Sequence, residues 1–524
     1  MHPPAKARFE NPERDSLDAQ RPPSAREGPN SSNRRSVDTS YLRDRVFSFP
    51  VMLGCLLVGG VFLAARLFKV DPDLWWHVKV GQEILRTHQW PTTDTYSFTV
   101  SGQPWLAYEW LGDIVLAVTN IIAGVTGLEV LLVLIGSSVV LALYSLATVR
   151  CGNSKAGFVA AAVLSVLAVL SFSLRPQMLG YLFLVLTLIA LERFRQGKHG
   201  SIWVLPLLMI LWVNTHGSWI VGLGAIFVYW ISGLLEFRLG ALEAKRWTPT
   251  ERLTIACVFL LSLFALPITP YGARVAASPF EFAFSLPLNV AHIQEWQPMP
   301  FDTIIGKIFL GLWVGIFFAQ VALRLTWRLE EFALFVVGLV MACLHVRFIL
   351  VFVPFITPVL AMFLSNWIPP YEPRKDKWPL NAALMALVVG CVAYYFPSRK
   401  QLNDRVAQSF PVSAVAYLDR HPVPDPMFNS YWFGGYLVLS RSSGHKVFID
   451  GRGDVYERGG VLADYMHVSY LKPGALAVLD GYGVRSCLLE PDAALATALS
   501  ISPEWKRVYV DGVSAVFVRT DARH

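Results

Sequence analysis

Residues 109–125 read EWLGDIVLAVTNIIAGV, and whether they cross a bilayer decides on which side every later loop falls. The stretch is apolar enough to span, but Glu109 and Asp113 stand at its start. An ionised carboxylate at a bilayer centre costs on the order of 3 kcal/mol. About eleven other apolar stretches surround it: 48–69, 129–149, 156–174, 177–193, 201–213, 218–236, 253–269, 304–323, 331–345, 348–366 and 378–396. A span needs about 20 such residues, so 201–213 and 331–345 are short. Place the N-terminal tail inside and lay 109–125 along the outer interface. The basic residues of 150–155, 193–198, 238–252, 324–328 and 374–377 then all fall inside. Before the last span the outer segments keep only Arg66, Lys69, Lys79, Arg86, Arg175, Arg274, Lys307 and Arg347. That bias is the positive-inside pattern, and counting 109–125 as a span would reverse it. The expected fold is a polytopic α-helical membrane protein of about eleven spans, N-terminus cytoplasmic and C-terminus extracytoplasmic, in the cell's inner (plasma) membrane.

Composition agrees. Of 524 residues, 54% are hydrophobic and 16% charged, against about 45–50% and about 25% in soluble domains. This excludes an ordinary cytosolic enzyme and a disordered or fibrous chain. The 17 tryptophans suit a protein with two membrane–water interfaces to anchor. The net charge of +7 is spread over loops, so it predicts no nucleic-acid partner. The six cysteines are scattered, without metal-ligand spacing, which argues against both a disulfide framework and a zinc site. Residues 1–45 are rich in Pro, Arg, Ser and Asp, with no apolar core, and read as a disordered cytoplasmic tail.

Residues 46–396 form the expected membrane domain, with an outer loop at 70–108. After it the pattern changes. In 397–524 apolar runs shorten and turn signals appear, such as HPVPDP (421–426) and DGRGD (450–454). Strand-like runs at 446–450, 485–490, 507–510 and 515–518 alternate with helix-like runs at 412–420, 461–470, 475–482 and 493–500. The alternation predicts a small C-terminal extracytoplasmic α/β domain.

The unusual polar stretches all fall on the outer face: DPDLWWH (71–77), TDTYSFT (93–99), YEW (108–110), RPQ (175–177), NTHGSW (214–219), HIQEW (292–296) and HVR (345–347). Polar groups gathered at one interface of a bundle point to a site there. Asp71 and Asp73 are the candidate catalytic pair: carboxylates at this spacing can serve as a base or hold a divalent cation. Asp71 also reads as the N-cap of a helix begun by Pro72. Arg175 and Arg347, each at the outer end of a span, can clamp a phosphate or snorkel to the interface. His77, Glu109, Asn214, His216 and Glu295 are candidate substrate contacts, although Asn214 and His216 equally suit the closing of a helix end.

An outer loop that opens with an acidic motif and leads into an interfacial helix resembles the GT-C superfamily of membrane glycosyltransferases. DPDLWWHVKVGQEIL (71–85) is similar to the first-loop opening of oligosaccharyltransferase catalytic subunits. SSVVLALYSLATVRCG (137–152) resembles the second span of bacterial members, and WVNTHGSW (212–219) a segment of others. YWFGGYL (431–437), followed by KVFIDGR (446–452), resembles the oligosaccharyltransferase WWDYGYW signature. Phe433 replaces the aspartate that contacts the acceptor there, which puts sequon glycosylation in doubt. The resemblance implies transfer of a sugar from a polyprenyl-phosphate-linked donor to an acceptor on the extracytoplasmic face. It implies the lipid-linked sugar and membrane lipids as partners and leaves the acceptor unnamed. The competing readings are oligosaccharyltransferase-like protein glycosylation and a non-catalytic membrane protein whose outer domain binds a partner.

Overall fold

The computed structural model describes residues 39–66, 70–169, 172–441 and 444–520. The chain is mostly helical. Thr39–Val46 (α1) is a short helix, so the tail expected to be disordered through residue 45 is helical at its end; the rest of that tail lies outside the described residues.

The bundle follows, with α2 (Phe49–Ala65), α3 (Asp73–Thr87), α4 (Trp110–Cys151), α5 (Ser154–Val169), α6 (Gln177–Arg195), α7 (Leu205–Val213) and α8 (Trp219–Ser232). Strands β1 (Phe237–Leu239) and β2 (Leu242–Ala244) precede α9 (Pro249–Ala265), α10 (Arg274–Ser285), α11 (Pro287–His292) and α12 (Ile304–Leu323). Then come β3 (Trp327–Arg328), α13 (Leu329–Leu344), α14 (Ile349–Ser365) and α15 (Trp378–Tyr395). Each apolar stretch singled out as a span overlaps one of these helices. Among the described residues five helices are long and apolar enough to cross a membrane: α4, α6, α12, α15 and α14 with the turn before it. Their environments differ. In α6 and α14, 72% of the most apolar window is buried inside the protein; in α15 only 6% is. An apolar helix left bare has its natural surroundings in lipid.

Local chemistry sets the boundaries. Thr248 with Glu251 and Ser398 with Gln401 form reciprocal caps, each satisfying two orphan backbone donors. Within α4, Gly124 has φ 57° and ψ −145°, a combination only glycine adopts without strain. It breaks the helix into 110–123 and 125–151, so the stretch 109–125 is a helix of its own up to that break.

The remaining elements are α16 (Arg399–Ser409), α17 (Val412–Arg420), β4 (Met427–Asn429), α18 (Tyr431–Ser440), α19 (Gly453–Arg458), α20 (Val461–Ser469), α21 (Ala475–Gly481), β5 (Ser486–Leu489), α22 (Ala494–Ile501), β6 (Trp505–Val510) and β7 (Ala515–Arg519). Strands β4–β5–β7–β6 make one sheet, parallel between β4 and β5 and antiparallel elsewhere. The expected strand at 446–450 is not in it. There, Val447 exchanges hydrogen bonds with Tyr96 and Phe98 of the loop between α3 and α4. Asn429 holds Phe448 and Ile449 through its side chain. The strand's ladder partners are thus a loop and an amide side chain.

The first loop and the C-terminal segment share one core. Val80, Ile84, Tyr96, Val100 and Trp105 pack with Phe428, Phe433, Phe448, Leu488 and Phe517. Phe433 is fully buried there, which removes it from any substrate contact. A methyl group added at Gly435 would meet the Pro72 carbonyl oxygen at 2.4 Å, so glycine at this place lets α18 seat directly on the start of α3.

Candidate functional site

The first turn of α3, the start of α4, the loop before α6 and the loop after α7 converge on two cavities. The first, of about 460 Å³, is lined by Asp73, Trp76, His77, Glu109, Arg175, Glu295, Tyr431, Trp432 and Arg452 among others. The second, of about 850 Å³, is more apolar, with Tyr181, Ile220, Val221, Phe280, Phe348 and Val351. Tyr108, Glu109, His216, Trp296, Arg347 and Asp454 line both and so form the seam between them.

Arg175 lies among three carboxylates. Its Nε is 2.7 Å from Asp71 Oδ2, and its Nη1 is 3.1 Å from Asp73 Oδ2 and 3.0 Å from Glu295 Oε1. Asp71 also accepts the Asp73 backbone N–H at 2.9 Å, so it caps α3 across Pro72 as its spacing suggested. Both Asp71 oxygens are therefore engaged, and Asp71 lines neither cavity; Asp73 is the member of the pair that faces the polar one. Arg175 stands beside both aspartates and not across a sugar from them, and carboxylates engage its Nε and Nη1. The pair does not fit a divalent cation either. The guanidinium already fills the space between the carboxylates, and among the described residues no three His, Cys, Asp or Glu side chains converge as ligands.

Arg347 is different. Its guanidinium carbon sits 4.3 Å above the Trp296 ring, a stacking that leaves the N–H edge available. It lines both cavities and has no carboxylate within ion-pair distance among the described residues. His345 holds the platform, with Nδ1 2.5 Å from the Trp296 carbonyl oxygen.

A second polar chain runs along the seam. His77 Nδ1 lies 2.5 Å from Asp113 Oδ1, and its Nε2 faces Glu109 Oε2 at 3.7 Å. His216 Nε2 faces Glu109 Oε1 at 3.5 Å, while its Nδ1 accepts the Ser218 backbone N–H at 3.1 Å. Asn214 joins neither cavity. Its amide accepts from Trp110 Nε1 at 2.7 Å and donates to the Ile210 and Ile268 carbonyls, so the expectation of a substrate contact gives way to the closing of a helix end.

Burial sets the electrostatics. It pushes the Asp73 carboxyl up to about 7, opposed by Arg175 and reinforced by Asp71 and Glu295. It pushes Glu109 up to about 8 against the pull of Arg175 and Arg347. Burial also raises Glu295, but Arg175 and Arg347 outweigh it and hold that carboxylate below its usual range. His216 is driven down to about 3 by burial, with Arg347 and Arg175 adding to it. His77 falls well below the usual imidazole range, again by burial first. Both imidazoles are neutral at physiological pH.

Sequence reading missed Asp113 and Asp454 as site residues. Asp113 follows Glu109 by four positions, which puts them on one helix face, and that spacing was a usable signal. Asp454 belongs to DGRGD, a pattern that reads as a solvated turn; burial of the turn beside the seam raises its carboxyl, opposed by Arg458 and Arg452.

No protein-family model matches the sequence, and no curated protein matches it. Among solved structures the chain is similar to the oligosaccharyltransferase of Archaeoglobus fulgidus, at 10% identity over 83% of this chain and 69% of that one, with a TM-score of 0.47. It is similar to ArnT from Cupriavidus metallidurans bound to undecaprenyl phosphate, at 14% identity over 93% and 99% of the two chains, TM-score 0.47. It is also similar to the arabinofuranosyltransferase AftD from Mycobacteria, at 12% identity over 89% of this chain and 39% of that one, TM-score 0.49. These three are GT-C glycosyltransferases.

Proposed function

We propose that the protein is a multi-pass membrane glycosyltransferase that moves a sugar from a polyprenyl-phosphate-linked donor to an acceptor at the extracytoplasmic face. The observation that carries this reading is the seam: a guanidinium with no carboxylate partner among the described residues, Arg347, shared by an apolar cavity and a carboxylate-lined one. In this reading the isoprenoid tail lies along Tyr181, Val221 and Val351, the phosphate on Arg347, and the sugar at the seam. The acceptor enters past Tyr431 and Trp432.

Asp73 is the base. As the acceptor oxygen attacks the anomeric carbon, its proton passes to the Asp73 carboxylate, and the sugar–phosphate C–O bond breaks with its electron pair left on the phosphate. Asp71 and Arg175 position Asp73, and Glu295 completes that cage. Arg347 stabilises the charge that grows on the departing oxygen, a charge-assisted contact stronger than a neutral one. About eleven spans, with residues 46–396 as the membrane domain and 397–524 as the extracytoplasmic α/β domain, complete the reading. The first turn of α4 then lies at the outer interface of the plasma membrane.

The test is transfer by the full-length protein in proteoliposomes supplied with lipid-linked sugars. Wild type should release polyprenyl phosphate, and Asp73→Asn should bind the lipid but not turn it over; equal turnover by both would overturn the assignment. A reporter active only outside the cytoplasm should be active when fused after Thr520 and silent when fused within 193–200.

A further inference from the structure

Two carboxyl groups of the site have separate surroundings. Asp73 sits in the polar cavity against a guanidinium. Glu109 sits on the seam, its two oxygens facing two imidazoles, 3.7 Å from His77 Nε2 and 3.5 Å from His216 Nε2. One tautomer is fixed by the backbone. The Ser218 N–H donates to His216 Nδ1, so the ring proton is on Nε2 and is offered to Glu109 Oε1. On the other side His77 Nδ1 pairs with Asp113 Oδ1 at 2.5 Å, and its Nε2 faces Glu109 Oε2. Among the described residues these two imidazoles are the ion-pair-range neighbours of Glu109, so no lysine or arginine is in contact to hold its carboxylate ionised. Contacts of this length tighten when substrate closes a site.

We propose, resting on the glycosyl-transfer reading, that Glu109 is the general acid of the reaction, protonating the phosphate oxygen that leaves the anomeric carbon beside Arg347. The step balances. The acceptor O–H proton goes to Asp73, the acceptor oxygen forms the new bond to the anomeric carbon, and the old C–O bond gives its pair to the phosphate oxygen. That oxygen takes the Glu109 proton. Water then removes the proton from Asp73 and restores the one on Glu109. His77 and His216 are positioning residues that hold the carboxyl neutral and aimed. The charged groups around Glu109 are Arg175 and Arg347, which favour its carboxylate, and Asp73, Asp454 and Asp113, one turn on along α4, which disfavour it; Tyr108 is its chain neighbour. Burial outweighs the two arginines, so the acid keeps its proton up to about pH 8.

The experiment compares full-length wild type and Glu109→Gln on sugar donors whose leaving phosphates differ in acidity: an alkyl, a fluoroalkyl and an aryl phosphate. Glutamine keeps the shape and cannot transfer a proton. On the alkyl phosphate kcat should fall about 10²-fold, the size of a lost general acid. On the aryl phosphate, which departs without protonation, the defect should shrink at least about tenfold. The alkaline limb of the wild-type rate profile, near pH 8, should vanish in Glu109→Gln and return in Glu109→Asp together with part of the rate. Binding of an unreactive phosphonate donor should be unchanged, which separates the effect from misfolding. Equal losses on all three donors, with the alkaline limb intact, would overturn the general acid while leaving the transferase reading in place. A wild type inert toward every donor would overturn both.

Discussion

The two ends of α6 carry buried charge in opposite styles. At its C-terminal end three arginines meet three glutamates. Arg328 donates to both oxygens of Glu192 at 2.9 and 3.1 Å, Arg195 pairs with Glu330 at 3.0 Å, and Arg150 pairs with Glu331. Every charge has a partner, and neither cavity of the site reaches them. At its N-terminal end, about 28 Å away along a helix of this length, one arginine serves three carboxylates, a second has none among the described residues, and two large cavities open beside them. Breaking a balanced buried network leaves an uncompensated charge, whereas ionisable groups left imbalanced beside a cavity are costly and tend to mark functional sites. The contrast supports the N-terminal end of α6 as the proposed working end, with no appeal to likeness.

Breaking each end should give a different kind of defect. The largest is expected at Asp73. Asp73→Asn should lower turnover by roughly 10²- to 10⁴-fold, the range of a lost general base, with donor binding retained. Because burial raises this carboxyl and only its ionised form can accept a proton, wild-type kcat/KM should climb with pH through about 7. The residual activity of the asparagine variant should lack that acid limb, and a limb that persisted would assign the base elsewhere.

At the balanced end the defect should be one of stability. Glu331→Gln strands the Arg150 guanidinium, and breaking a buried pair from one side costs about 3–5 kcal/mol. Melting of the detergent-solubilised protein should drop while the pH profile of the folded fraction stays as in wild type. A shifted profile would mean that the two ends are coupled along α6. Arg347→Ala should fall between the two in size. Loss of a charge-assisted phosphate contact, about 1.5–3 kcal/mol, predicts a donor KM about 10- to 100-fold higher, with a smaller change in kcat. Titration with an unreactive donor would read this directly.

The same contrast explains what could be read from the sequence. Apolar length and basic loops are properties of local stretches, so the helices were legible and so was the break between 109–125 and the next span. Asp71, Asp73, Arg175, His216, Glu295 and Arg347 were legible as polar groups at helix ends. Their pairing was not, because it joins residues more than a hundred positions apart. Arg175 is the clearest case. Its position suited a phosphate clamp, and only the fold shows that Asp71, Asp73 and Glu295 engage its Nε and Nη1. The sheet failed at 446–450 for a related reason, since its partners Tyr96, Phe98 and Asn429 belong to a distant loop and a side chain. Phe433 was legible as a departure from the related signature, and its burial gives the departure a structural cause.

The smallest effect separates the two aspartates of DPD. Asp71→Asn keeps an oxygen that can still accept the Asp73 backbone N–H, so the start of α3 should hold. It removes one of three negative charges around Arg175, while Asp73 and Glu295 continue to pair with that guanidinium. The cage should loosen and not collapse, with turnover falling by about tenfold, the lower end of what a charged hydrogen bond is worth. Asp73, relieved of one like charge beside it, should titrate lower, and the acid limb of the rate profile should move to lower pH. If Asp71→Asn instead matches the loss of Asp73→Asn and abolishes the limb, the two carboxylates act as one unit sharing the proton, and the assignment of a single base would give way to a pair.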